Sequence, residues 1–204
     1  MIDALSAVSC RDVSRETFGR IEAFVDLLAT AAAGQNLIAR STLDGIWERH
    51  ILDSAQLVRF EPRPGASWLD IGSGAGLPGL VVALLVEGPV ALVEPRRLRA
   101  DFLGHATEKL GLSDRVTIQH AKVERLAGRF DVITARAVAP LPRLLEISSH
   151  LSTKKTVWVL PKGRSARTEL AEAQQAWQGA FHVERSATDA DSYIVVADGV
   201  GKRR

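Results

Sequence analysis

Apolar residues recur at intervals of three and four through Phe18, Ile21, Val25 and Leu28, a spacing that predicts an amphipathic helix. Ser14 stands before it as a capping residue, and Gly34 stands where it should stop. A second helix is predicted from near Asp44, its cap, to Phe60. Trp47, Ile51, Ser54 and Val58 share one face of it, and His50 lies one turn from both Trp47 and Asp53. The proline- and glycine-rich residues 61–65 form a connection. Beyond them the pattern changes to short apolar runs alternating with helical stretches. Strands are predicted at Ser67–Ile71, Val90–Glu94, Arg115–His120, Phe130–Ala135 and Thr156–Pro161. Between them fall helices at Leu80–Val86, around Leu98 to Leu110, and at Leu141–His150, with another at Ala166–Gln178. Two further strands, Phe181–Ser186 and Tyr193–Ala197, are joined by a turn over Thr188–Asp191.

Alternating strands and helices imply a mostly parallel sheet covered on both faces. The last link is too short for a crossover helix, so the final pair must be antiparallel. The expected fold class is therefore α/β, with seven strands, a C-terminal antiparallel hairpin and helices added at the N-terminus.

Composition adds little but excludes several classes. In 204 residues, 46% are hydrophobic and 25% charged, so a sizeable core is available and disorder is excluded. Aromatics are only 5%, so aliphatic side chains must fill that core. The net charge of +2 permits a nucleic-acid partner without pointing to one. A single cysteine, Cys10, rules out an intrachain disulfide and a cysteine-rich metal site, and fits a reducing cytoplasmic setting. No apolar run reaches membrane-spanning length, and the N-terminus lacks the pattern of a signal peptide.

The chemical signal is the run Asp70-Ile-Gly72-Ser-Gly74-Ala-Gly76-Leu77-Pro-Gly79, placed where a strand ends and a helix begins. Ligands of such sheets bind beyond the carboxyl ends of the strands, and glycine lets backbone approach a ligand closely. A phosphate-binding loop would need lysine after Gly79, where Leu80 stands. A dinucleotide fingerprint counted from Gly72 puts Leu77 at its last glycine, a weak fit. Asp70, Gly72, Gly74 and Gly76 instead meet Asp-x-Gly-x-Gly-x-Gly, the loop that lies against the methionine part of S-adenosylmethionine in class I methyltransferases. Glu94, at the end of the next strand, is placed to accept hydrogen bonds from ribose hydroxyls. The plain alternative is a structural turn with Asp70 as a satisfied cap.

Several separated segments together resemble one family, the glucose-inhibited division protein B or ribosomal small-subunit methyltransferase G family. They are Asn36-Leu37, Trp47-Glu-Arg-His50-Ile-Leu-Asp53-Ser54, Asp70 to Gly79, Ala135-Arg136-Ala137 and Leu160-Pro-Lys162-Gly163. The resemblance implies S-adenosylmethionine as cofactor and methylation of guanine N7 in 16S ribosomal RNA, of the guanosine-527 type. It also implies that Gly72 and Leu77 contact the cofactor, that Val123 and Glu124 lie beside its adenine, and that Arg136 reaches it from the fourth strand. Lys122 stands where the family often has arginine, which weakens any role needing a bidentate guanidinium there. Residues 1–62 would be an N-terminal helical extension, 63–200 the methyltransferase domain and 201–204 a free, disordered basic tail. The implied partner is 16S ribosomal RNA or the small ribosomal subunit, met by a monomer.

Guanine N7 has an in-plane lone pair, so its methylation needs alignment rather than proton removal. Cys10 lies far from the site segments, and residues 136–142 lack the Asn/Asp-Pro-Pro-aromatic loop of exocyclic-amine methyltransferases. Arg136, Lys162 and His50 are the candidates for positioning groups; a structural role for His50 and a solvated loop for Lys162 are the plain alternatives. Arg96, Arg97 and Arg99 open a helix, where cations oppose its dipole. RNA phosphates would explain them; so would a solvated charged turn. Methylation of a small molecule or protein, and RNA binding without catalysis, remain open readings at this point.

Overall fold

The computed structural model describes residues 1–35 and 45–203. Among them, seven strands form one sheet: β1 (Trp68–Ile71), β2 (Val90–Val93), β3 (Val116–Gln119), β4 (Val132–Ala135), β5 (Val157–Lys162), β6 (Trp177–Arg185) and β7 (Tyr193–Lys202). Their order is β3-β2-β1-β4-β5-β7-β6. The first five are parallel; β7 runs antiparallel to β5, and β6 antiparallel to β7. This is the expected class I methyltransferase sheet with its C-terminal hairpin.

Alternation along each strand divides the core between the two faces. Trp68, Leu92, Val132 and Val159 join the apolar cluster on one face, which also contains Leu5, Ile21, Phe24, Leu28, Ile51 and Val58. That face is covered by α1 (Ile2–Ser9), α2 (Arg15–Gln35), α3 (residues 47–60), α4 (Gly79–Leu85) and α5 (Arg97–Lys109). Leu69, Ile71, Ile133 and Trp158 point to the other face, under α6 (Leu141–Ser148) and α7 (Ala166–Ala176). The N-terminal helices thus share one core with the sheet.

Several boundaries differ from expectation. α1 carries no strong sequence signal, yet its Leu5 is fully buried. Ser14 does cap α2, its hydroxyl accepting the Thr17 N–H at 3.1 Å. Gly34 does not stop that helix, which continues to Gln35. The predicted cap Asp44 and the Asn36-Leu37 segment lie outside the described residues. α3 is π-helical over Trp47–Leu52 and 3-10 over Gln56–Phe60. Its predicted face still holds: Ile51, Ser54 and Val58 are buried, and Trp47 stacks on Phe18 at 5.7 Å. Trp47 therefore packs with the core.

The expected free tail is corrected for residues 201–203. β7 runs to Lys202, which pairs with Trp177, and the Arg203 N–H donates to the Ala176 carbonyl at 2.9 Å. β6 accordingly begins at Trp177, four residues before the predicted start, with a bulge between Gln178 and Ala180. The physical reason is Trp177: as a strand residue it is buried, and Lys202 lies over its ring at 5.7 Å. No helix among the described residues is long and apolar enough to cross a membrane.

Candidate functional site at the carboxyl ends of the strands

The turn after β1 is built from backbone. Gly72 and Ser73 donate to the Val93 carbonyl at 2.8 and 3.1 Å, and Gly76 donates to the Ser73 carbonyl at 2.7 Å. Gly72, Gly74 and Gly76 have φ of 68°, 55° and 88°, the left-handed region that glycine enters without a steric penalty. Glu94 holds this turn from β2. Its Oε2 accepts the Gly74 N–H and its Oε1 the Arg96 N–H, both at 2.9 Å. Glu94 is only 3% exposed, but each oxygen keeps a second lone pair.

Asp70 has a different place. Strand alternation puts it on the face of Trp68 and Leu92, beneath the start of α4. It is 1% exposed, and its Oδ2 accepts the Gly79 N–H at 3.1 Å. Burial pushes its carboxyl up to about 7 despite hydrogen bonds that act the other way. Asp70 therefore braces the turn from below. Leu77, in the same turn, is buried in the core cluster and donates to the Ser73 carbonyl at 3.2 Å.

Two cavities open along the strand ends. One of about 240 Å³ is lined by Ile71, Gly72, Val93, Val123, Glu124 and Val138. The other, about 480 Å³, lies beyond β4 and β5 between Asp53, Arg136, Pro140, Lys162, Glu169 and Tyr193.

Arg136 leaves the end of β4 toward α3. Its Nη1 donates to His50 Nδ1 at 3.1 Å and sits 3.5 Å from Asp53 Oδ2. Burial, with Arg136 and Arg49 beside it, lowers the His50 pKa to about 4, so the ring is neutral near pH 7. Because Nδ1 accepts, the proton sits on Nε2, which is buried without a partner among the described residues. Burial raises the Asp53 pKa, against Arg136 and the hydrogen bonds from Thr188 and Gln56. His50 and Asp53, one turn apart on α3, are thus brought together with Arg136 by the fold.

Lys162 is not a solvated loop lysine. Its side chain is 10% exposed, and Nζ donates to the Ala139 carbonyl at 2.8 Å and pairs with Glu169 Oε2 at 2.9 Å. Glu169 also accepts the Leu141 N–H at 2.8 Å. Partial burial raises its pKa, but bonds from Ser165, Lys162 and Leu141 outweigh this and hold it below its ordinary value.

A model of the family described as rRNA small subunit methyltransferase G matches residues 18–191. The chain belongs to that family. A ribosomal RNA small subunit methyltransferase G of Sphingopyxis alaskensis is 52% identical over 188 residues, covering 91% of this chain and 80% of the relative. That of Zymomonas mobilis is 46% identical over 201 residues, covering 94% and 90%. Among solved structures, a SAM dependent methyltransferase from Aquifex aeolicus superposes with a TM-score of 0.61 at 15% identity, over 76% of this chain and 93% of that one. A ribosomal protein L11 methylase from Lactobacillus delbrueckii gives 0.56 at 15% identity, over 76% and 79%. At these identities the structures show the fold alone.

Within this methyltransferase G chain, one point of the motif reading needs correction. Counted from Gly74 rather than Gly72, Gly74, Gly76 and Gly79 do meet the dinucleotide spacing. Glycine spacing therefore does not separate the two cofactors; sheet order does, since β7 lies antiparallel between β5 and β6. Sequence reasoning also missed three contributors. Glu169 comes from α7, seven residues after its lysine partner, at no motif spacing. Fully buried Gln56 ties α3 to the β6–β7 turn through Ser186 and the Ala187 N–H. Val138 stands over Gly72, and only the folded geometry reveals it.

Proposed function

We propose that this protein transfers the methyl group of S-adenosylmethionine to guanine N7 in 16S ribosomal RNA. The observation that carries the reading is the bare glycine turn, held by Glu94 and open to a ligand's backbone-close approach. The residues suit the cofactor. The turn is open at Gly74, where a Cβ would meet nothing nearer than the Gly72 carbonyl at 3.7 Å, while Gly72 and Gly76 let Val138 and the core residue Leu80 pack against bare backbone, each 2.6 Å from where a Cβ would be. The 240 Å³ cavity is mostly apolar, with Lys122 and Glu124 in its lining, which suits an adenine against Val123; Glu94, between the lining residues Val93 and Pro95, keeps the second lone pairs that ribose hydroxyls would use. Leu77 supports the turn from the core side, and Asp70 ties it to the start of α4.

When bound, the cofactor supplies an electrophilic methyl on a sulfonium. The rest falls to this chain's side chains. The acceptor base enters the cavity beyond β4 and β5, where Arg136 and Lys162 define two edges. His50, neutral, fixes the Arg136 guanidinium as a hydrogen-bond acceptor without adding charge. No side chain has to remove a proton, since guanine N7 carries a free in-plane lone pair that would accept the methyl. Alignment is the available source of rate.

The test is methylation of small ribosomal subunits, from cells lacking the gene, with labelled cofactor. Label at one guanosine whose glycosidic bond becomes labile to borohydride and aniline, the signature of N7 methylation, is the expected outcome. Label on another atom, on protein, or nowhere would overturn the reading.

A further inference from the structure

The two cavities share a single lining residue, Val138. One cavity has the chemistry of a nucleoside pocket, and the other lies where the acceptor must enter. A methyl group passing between them has to cross the place that Val138 fills. Its Cγ2 sits 2.6 Å from where a Cβ on Gly72 would be, so it rests directly on the bare backbone of the turn. At about 240 Å³ the first cavity is below the roughly 300–1,000 Å³ usual for drug-sized ligands. Val138 is the lining residue at which it borders the second cavity.

The chain around Val138 is held at both ends and strained in the middle. On one side Arg136 is tied to His50 and Asp53 of α3. On the other, Lys162 holds the Ala139 carbonyl and Glu169 holds the Leu141 N–H. Between these anchors Ala137 has φ 56°, a left-handed conformation costing an alanine about 1 kcal/mol. Such strain persists where surrounding contacts over-determine it, and it concentrates at working sites. Val138 itself is 39% exposed, so its outward side is free.

We propose that Val138 is the gate between the two cavities, a positioning residue that must leave Gly72 before the amino-acid half of the cofactor, with its sulfur, can seat facing the acceptor. The inference rests on the function proposed above and names the residue on which its geometry turns. Adenosine fills only the near cavity, where it meets Val138 as a wall and does not need it displaced. S-adenosylhomocysteine extends past it.

The experiment compares calorimetric affinities for these two compounds, with kcat and KM for methyl transfer, in the full chain and in Val138→Ala and Val138→Leu. Adenosine affinity should stay within about 3-fold in all three. S-adenosylhomocysteine affinity should rise several-fold in Val138→Ala and fall at least 10-fold in Val138→Leu. In the leucine variant kcat should drop at least 10-fold with the acceptor KM nearly unchanged. Val138→Ala shortens a half-exposed side chain and keeps the fold, so it carries the test if the leucine variant unfolds. Equal effects on both compounds, or no effect on either, in variants that fold would overturn the gate while leaving the proposed function intact. Failure of the unaltered protein to bind S-adenosylhomocysteine would overturn both.

Discussion

Gly79 shows how little tolerance the site has at the scale of one residue. A Cβ there would lie 2.3 Å from Leu92 Cδ2 and 2.6 Å from Asp70 Oδ2. Gly79→Ala should therefore cost about 1–3 kcal/mol as overpacking, measured as a lower urea midpoint. Asp70 and His50 make opposite contributions to pH dependence. The Asp70 carboxyl has a folded pKa of about 7 against an ordinary 3.8, so the folded state binds the extra proton. Its contribution is complete below 3.8 and is lost as pH rises through about 7, a gap of about 3 pH units or about 4 kcal/mol. His50 is lowered from 6.5 to about 4, so its contribution is present above 6.5 and lost as pH falls toward 4. The two slopes oppose each other between pH 4 and 6.5. Asp70→Asn should leave a stability curve that rises with pH across that window, and His50→Gln one that falls. Urea melts at half-unit pH steps would show it, and parallel curves for the two variants would contradict both assignments. The sequence pattern placed Asp70 in the strand that feeds the turn. It did not reveal that strand alternation sends its carboxylate under α4, because the motif gives spacing and not facing.

At the scale of elements, short apolar runs bounded by glycine and proline were legible to within a residue or two, as β1, β2 and β4 show. Their burial on both faces is what makes them read as continuous apolar runs. The hairpin was legible in existence but not in extent. β6 begins with Trp177-Gln-Gly-Ala, where a periodicity argument still reads the helical pattern of α7 as unbroken, and β7 ends in glycine and cations. What decides is long-range pairing across the bulge at Gly179, whose Cβ would press on the Asp198 carbonyl at 2.8 Å. The consequence is measurable. A chain ending at Val200 loses the pairs Gln178–Gly201 and Trp177–Lys202, together with the Arg203 bonds to the Ala176 and Trp177 carbonyls. It should be about 1–3 kcal/mol less stable and should exchange amide protons faster at the start of β6. An unchanged midpoint would mean that this end of the hairpin frays in solution. The π and 3-10 turns of α3 were equally hidden, since they follow from what its ends must reach: Arg136 at His50, and the β6–β7 turn at Gln56.

At the scale of the molecule, the strand ends collect the glycine turn, both cavities and a set of exposed cations on one side. The net charge of +2 is too small to hold RNA by itself, so local arrangement has to do it. Arg96 and Arg97 are exposed at the start of α5, beside the Glu94 that holds the turn. Among the described residues Arg96 has no ion pair, and Arg97 has only an exposed one with Asp101 at 3.8 Å, which contributes little and releases readily. Leu98, 68% exposed between them and Arg99, adds an apolar contact beside the cations. Cations at a helix start are unfavourable for the free protein, and phosphate contacts would offset that cost. Replacing Arg96 and Arg97 with alanine should then weaken binding to 16S RNA at low salt. It should also make the slope of log affinity against log salt shallower by about 1.4 if each arginine neutralises one phosphate of a single strand, and by about 1.8 on a duplex. Cofactor affinity should not change, because neither side chain lines the cavities at the strand ends. A slope equal to that of the unaltered protein would show that these arginines are a solvated turn.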